Sequence, residues 1–300
     1  MKKTAVYDSL KQMEVQHMNA IQVSNLTKCY GDVTAVNHIS FAVEKGTMLG
    51  FLGVNGAGKT TAINMLSTLI TPDEGEAEIC GHVLGKENES IRRKIGIVYQ
   101  QNYLDDMMTV RENLMCRGII HGTDKKVAKK QCDKLTELLK LEDILDRRYK
   151  LLSGGQKRRS EIAAALMHTP EILFLDEPTT GLDPATRQDV WEIVKNLQEK
   201  EAMTVFLTTH YMDEAAEADN IIIMDRGNII TSGTPFSLKE AYAKDKVKLF
   251  YNDGQIKEMT LESTLDALEI LEKEKVSLQG FEVIQGNMDD VFLNAVGKSL

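Results

Sequence analysis

Apolar positions change their spacing several times along this chain, and each change marks an element. Ile39, Phe41 and Val43 alternate with polar neighbours, the period of a strand with one buried face. Lys45-Gly46 then turns, and MLGFLG from Met48 to Gly53 is apolar throughout, as in a strand covered on both faces. Ala62 to Ile70 reads as a helix, and Ala77–Val83 and Ile95–Gln100 read as further strands. Between Asn102 and Leu152 the texture is mainly helical, with Ala128, Cys132, Leu135 and Leu139 on one apolar face. Strand signals return in ILFLD (Ile172–Asp176), MTVFLTT (Met203–Thr209) and NIIIMD (Asn220–Asp225), and Pro184 opens a helix containing Trp191. Strands alternating with helices predict a mostly parallel, helix-covered sheet. Beyond about Ser237 the segments KVKLFY, QIKEMTL, Ser263–Leu271 and FEVIQG suggest a small α+β appendix, closed by a helix over Asp289–Leu300. The expected organisation is a polar N-terminal extension (1–18), a main domain (19–240) with a helical insertion at about 102–158, and an accessory domain (241–300).

Composition narrows the classes. With 300 residues and 42% hydrophobic side chains there is ample material for a packed core. A formal charge of −9 argues against a protein whose main work is gripping nucleic acid. Cys29, Cys80, Cys116 and Cys132 form no C-x-x-C pair and no cluster with histidines, so neither a zinc site nor a disulfide framework is expected, and the setting reads as reduced. No stretch approaches the ~18 consecutive apolar residues of a membrane span, and the first twenty residues lack the apolar core of a signal peptide.

Three strings carry the chemistry. GVNGAGKTT comprises Gly53, Val54, Asn55, Gly56, Ala57, Gly58, Lys59, Thr60 and Thr61. It fits the phosphate-binding pattern in which successive backbone N–H groups form a concave nest at a helix N-terminus. Lys59 is expected to reach the β- and γ-phosphates of ATP, and the Thr60 hydroxyl to ligate Mg²⁺. In ILFLDE, Asp176 leaves a buried strand where a carboxylate can hold hydrated Mg²⁺, and Glu177 is placed to deprotonate the attacking water. LSGGQ comprises Leu152, Ser153, Gly154, Gly155 and Gln156. There Ser153 can cap the following helix while the glycines leave N–H groups open, a second anion site whose ligand spacing alone does not identify. Lys157, Arg158 and Arg159 read as a solvated helix face.

Together these strings resemble the nucleotide-binding subunit of an ATP-binding cassette (ABC) transporter, from about Ala20 to about Lys239. The resemblance implies an α/β P-loop ATPase fold: a mostly parallel core sheet, an antiparallel β subdomain, a helical insertion and the small C-terminal appendix. It implies that LSGGQ closes over ATP held by a second ATP-binding subunit, so that two copies, as a homodimer, sandwich two nucleotides. By the same match His210 is the switch histidine holding the water and Glu177, and Gln100 touches Mg²⁺ or the water and couples to the membrane partner. Asp183 crosses the dimer interface, and Tyr30 stacks on adenine. Separate membrane-spanning permease subunits are implied, with this chain peripheral on the cytoplasmic face of the cell membrane. GTPFSLKE (Gly233–Glu240) and MDDVFLNAVGKSL (Met288–Leu300) resemble the branch serving exporters of drugs, lipids, polysaccharides or ions. The rival is a soluble ABC ATPase acting on ribosomes, in DNA repair or as a regulatory module. A single cassette and the lack of sustained heptads count against it.

Overall fold

The computed structural model describes residues 19–275 and 277–297; the expected extension over 1–18 lies outside them. The chain starts with two long strands, β1 (Asn19–Tyr30) and β2 (Val33–Glu44), paired antiparallel across a turn at Gly31. β3 (Met48–Leu52) follows with all five residues buried and feeds α1 (Lys59–Leu66). The helix therefore begins three residues before the apolar run that announces it. β4 (Glu74–Ile79) and β5 (His82–Val83) then join the first sheet, in the order β2-β1-β4-β5. The single strand expected over Ala77–Val83 is a hairpin, because Cys80 and Gly81 both adopt positive φ and reverse the chain.

α2 (Asn88–Lys94), whose only buried residue is Ile91, leads into β6 (Ile95–Val98). The helical region holds α3 (Val110–Ile120), capped by a Thr109/Glu112 box, and α4 (Lys125–Leu138), whose expected apolar face is buried. α5 (Gly154–Ala165), β7 (Ile172–Asp176), α6 (Pro184–Glu201), β8 (Thr204–Thr209), the short α7 (Met212–Ala215) and β9 (Asn220–Asp225) complete the alternation. An edge strand, β10 (Asn228–Gly233), pairs antiparallel to β9 with only alternate residues half-buried, too polar a pattern to stand out in the sequence. The central sheet runs β10-β9-β3-β8-β7-β6, parallel except for β10.

Alternate residues of the central strands feed two separate cores. Leu49, Phe51, Phe174 and Phe206 point into the cluster shared with α1 and the antiparallel sheet, and Phe41 packs against it from β2. Phe206 lies with its ring centroid 5.2 Å from Phe51 and 5.3 Å from Phe174. Met48, Leu52, Leu173, Leu175, Val205 and Leu207 point the other way, into the cluster with α3 to α6. A strand buried on both faces has no polar side to display, which is why MLGFL, ILFL and TVFL read as continuous apolar runs.

α8 (Pro235–Tyr242) leads out to a three-stranded antiparallel sheet of β11 (Lys246–Tyr251), β12 (Ile256–Thr260) and β13 (Leu278–Ile284), with α9 (Asp266–Glu274) between the last two. Val247, Leu249, Leu261 and Ala267 give it a small core of its own. The closing helix, α10 (Met288–Val296), returns to the main body, where Met288 and Val291 join the larger core.

Candidate functional site

The parallel strands β3, β6, β7 and β8 all end on one side of the sheet, the position at which open α/β sheets bind ligands. The loop after β3, the loop after β6, Glu177 after β7 and His210 after β8 meet there around a cavity of about 650 Å³. Tyr30, Gly56, Lys59, Thr60, Thr61, Gln100, Glu177 and His210 line it.

Glycine is demanded at specific places in the first loop. A Cβ on Gly58, which has φ 106°, would lie 2.2 Å from the Ala35 carbonyl oxygen. One on Gly53 would lie 2.4 Å from that of Met224. Lys59 is 5% exposed and donates to the carbonyls of Gly53 (2.7 Å) and Val54 (3.3 Å), so the loop is wrapped around its own lysine. Burial lowers the Lys59 pKa, opposed by the charges of Glu177 and Asp176.

Asp176 is 4% exposed and accepts from Thr208 Oγ1 at 2.6 Å. Burial raises its pKa, while the hydroxyls of Thr208 and Thr60 hold it down. Glu177 sits at φ 47°, a left-handed conformation unusual for a side chain with a Cβ, fixed by its N–H donating to both the carbonyl and the hydroxyl oxygen of Thr208. Its Oε2 accepts from Gln100 Nε2 (3.2 Å) and Thr180 Oγ1 (3.1 Å), and its Oε1 lies 3.8 Å from Lys59 Nζ. His210 Nδ1 is 3.3 Å from Glu177 Oε2 without forming a hydrogen bond. Buried Glu214 accepts from the hydroxyls of Thr179 and Thr209, tying the loop after β7 to the loop that carries His210.

The LSGGQ residues line a different surface. Ser153 caps α5: its Oγ accepts from the Gln156 N–H, and Gln156 Oε1 accepts in return from the Ser153 N–H at 3.0 Å. Gln156 is thus occupied by the capping box, and a Cβ on Gly155 would collide with the Thr186 side chain at 2.1 Å. None of Leu152 to Gln156 lines the Lys59 cavity. Nor does Asp183, which caps α6 and accepts from the Thr186 N–H at 3.1 Å.

A family model described as ABC transporter matches residues 36–180. The daunorubicin/doxorubicin resistance ATP-binding protein DrrA of Streptomyces peucetius is 36% identical over 95% of this chain and 94% of its own. The chain belongs to the ABC transporter ATP-binding family. The linearmycin resistance ATP-binding protein LnrL of Bacillus subtilis is 36% identical over 93% of this chain and 99% of its own. Nod factor export ATP-binding protein I of Burkholderia lata is 35% identical over 93% and 98%. Among solved structures, the dimeric post-hydrolysis state of the cassette MJ0796 bound to ADP and Pi superposes with TM-score 0.65 at 29% identity, covering 71% of this chain and 98% of that one.

This ABC ATPase therefore gathers Tyr30, Lys59, Thr60, Gln100, Glu177 and His210 in one cavity and keeps Ser153 to Gln156 and Asp183 away from it. Thr180, Thr208 and Glu214, which hold the carboxylates and the His210 loop in place, were not expected. Threonine and glutamate are common, and the partners of Thr208 and one partner of Glu214 lie 31 to 35 residues away in sequence. One expectation is corrected. Arg158 is no solvated residue: it is 5% exposed, because it lies on the inward stripe of α5 with Gly155 and Ile162. Arg159 also turns back, donating to the Lys140 carbonyl at 2.8 Å.

Proposed function

We propose that this ABC ATPase powers export through separate membrane-spanning subunits, using ATP binding to close a dimer and hydrolysis to reopen it. The supporting observation is the single cavity where a phosphate loop, an inward lysine and the Glu177–Gln100–His210 cluster converge. In this reading the loop amides and Lys59 bind the β- and γ-phosphates, and the half-exposed Tyr30 ring at the cavity mouth stacks on adenine. Glu177 accepts the proton of the attacking water, Gln100 and Thr180 fix the carboxylate through Oε2, His210 lies beside that same oxygen, and Lys59 faces Oε1.

The donor set fits Mg²⁺. Thr60 and Asp176 are adjacent hard oxygen ligands, and Gln100 adds an amide. When bound, the ion neutralises charge that develops on the transferred phosphoryl group.

The LSGGQ surface, absent from its own cavity, is available to cover the nucleotide of a second copy, with Asp183 between the two sites. Export is favoured because DrrA, LnrL and the Nod factor protein, each matched over nearly its whole length, are named for resistance or export. In this reading the conduit belongs to other chains and this one sits peripherally on the cytoplasmic face; among the described residues no helix is long and apolar enough to cross a membrane. A groove lined by Tyr99, Tyr103, Arg117, His121 and His168, beside Gln100, is the docking place for their cytoplasmic helices. Co-purification of tagged Glu177→Gln protein with ATP from detergent-solubilised membranes tests this. Recovery of a multi-span membrane protein is expected. Recovery of ribosomes, or of a clean soluble dimer alone, would overturn the transport reading.

A further inference from the structure

Arg158 and Glu161 lie one turn apart on α5, the helix that Ser153 caps, and are only 5% and 7% exposed. Buried charges are costly unless hydrogen-bonded, so what each one holds is informative. Arg158 Nη1 donates to the Tyr99 carbonyl (2.7 Å) and Nη2 to the Gln100 carbonyl (3.2 Å). Glu161 Oε1 accepts from the N–H groups of Tyr103 (2.8 Å) and Leu104 (3.1 Å) and from the Tyr149 hydroxyl (2.8 Å). The segment between, from Tyr99 to Leu104, lies outside any helix or strand. One helix therefore grips both ends of an irregular loop, carbonyls at one end and amides at the other. Gln100, inside that loop, donates to Glu177 Oε2.

We infer that Arg158 and Glu161 are positioning residues for hydrolysis, tying the helix behind LSGGQ to the Gln100–Glu177 contact of the same chain. The inference rests on the proposed dimer, in which that helix closes over nucleotide held by the second copy. α5 is a continuous hydrogen-bonded helix, so a shift of its capped end carries the two side chains with it. The loop they grip must follow or break four bonds. Each chain thereby conveys the filling of its partner's site to its own Glu177, a link that neither the phosphate loop nor LSGGQ supplies alone.

The test uses the full chain, measuring steady-state ATPase activity, equilibrium binding of a fluorescent ATP analogue and thermal melting for Arg158→Gln, Arg158→Lys and Tyr149→Phe. Arg158→Gln should lower kcat about 10- to 100-fold and abolish cooperativity in ATP, with nucleotide Kd within about threefold of the parent. Arg158→Lys, able to reach one of the two carbonyls, should recover part of the loss. Tyr149→Phe removes one donor to Glu161 but leaves both gripped amides, so it should lower the melting temperature with kcat within about twofold. Parent-like kcat and cooperativity in Arg158→Gln would overturn the inference. So would kcat and affinity falling together in proportion to melting temperature across all three variants. If Arg158→Gln does not fold, Arg158→Lys decides by the same readouts. A parent without ATPase activity would instead sink the proposed function, and this inference with it.

Discussion

Replacing Glu177 by glutamine removes a proton acceptor while leaving nearly every atom in place. The side chain keeps its size and the backbone its φ of 47°, held by Thr208. An amide oxygen at the Oε2 position still accepts from Gln100 and Thr180, now 3.2 and 3.1 Å away. What is lost is charge. The Lys59 ammonium is 3.8 Å from the carboxylate, an attraction of about 4 kcal/mol at an effective dielectric constant near 20, before the cost of desolvating the pair is set against it. Asp176 remains beside Lys59 to offset part of that loss. The variant should therefore fold and bind nucleotide with a Kd within about tenfold of the parent. Loss of general-base catalysis should lower kcat by about 10²–10⁴, or about 3–5 kcal/mol in the barrier. Phosphate release gives kcat, and titration with a fluorescent ATP analogue gives Kd. Hydrolysis at the parent rate would refute Glu177 as base; a Kd weakened as much as kcat would make it a binding residue.

Other changes probe the loop, the electrostatics and the core. Gly58→Ala forces a side chain into φ 106° and against the Ala35 carbonyl, so nucleotide binding should weaken by about tenfold or more; parent-like binding by titration would contradict the cradle. His168, stacked on His121 at 4.0 Å, has its pKa lowered from 6.5 to about 4 by burial and by that neighbour. Its folded-state pKa lies below the unfolded value, so its contribution is complete above pH 6.5 and is lost as pH falls towards 4, up to about 3 kcal/mol. Urea unfolding at pH 7 and pH 4.5 should show that loss in the parent and a smaller one in His168→Gln; equal losses would remove His168 from the account. Phe206→Ala empties the centre of the four-phenylalanine cluster and should cost about 3–5 kcal/mol, lowering the melting temperature by about 10 °C or more; a shift of only a degree or two in a scan would mean the cluster collapses into the space.

The parts of this molecule that were legible in its sequence share a physical reason. MLGFL and ILFLD are buried on both faces, so they are apolar without interruption, and their strands fall where expected. The loop from Gly53 to Thr61 is legible because a Cβ on Gly58 or Gly53 would lie 2.2 or 2.4 Å from a backbone carbonyl oxygen, so glycine recurs there. Thr208 and Glu214 are hidden in the sequence because their value lies in partners that the sheet brings near, 31 to 35 residues away, and Thr180 because a threonine three residues after Glu177 carries no signal of its own. Arg158 reads as solvated in the sequence since a run of three cations ordinarily faces water. The phase of α5 would have corrected this, because Gly155, Arg158, Ile162 and Ala165 fall on one stripe and all are buried. β10 and α2 leave no period in the sequence because each buries too little.

The strand order also sets a schedule for synthesis. β3, which delivers the phosphate loop, has neighbours on both sides that arrive late: Met48 pairs with Val205, about 160 residues downstream. At about 5–20 residues per second, its five apolar residues wait about 8–30 s on the ribosome before either partner strand exists. The first half of the chain consequently cannot complete the central sheet by itself, and ribosome-bound fragments ending before β8 should be the species that chaperones hold and that aggregate when released.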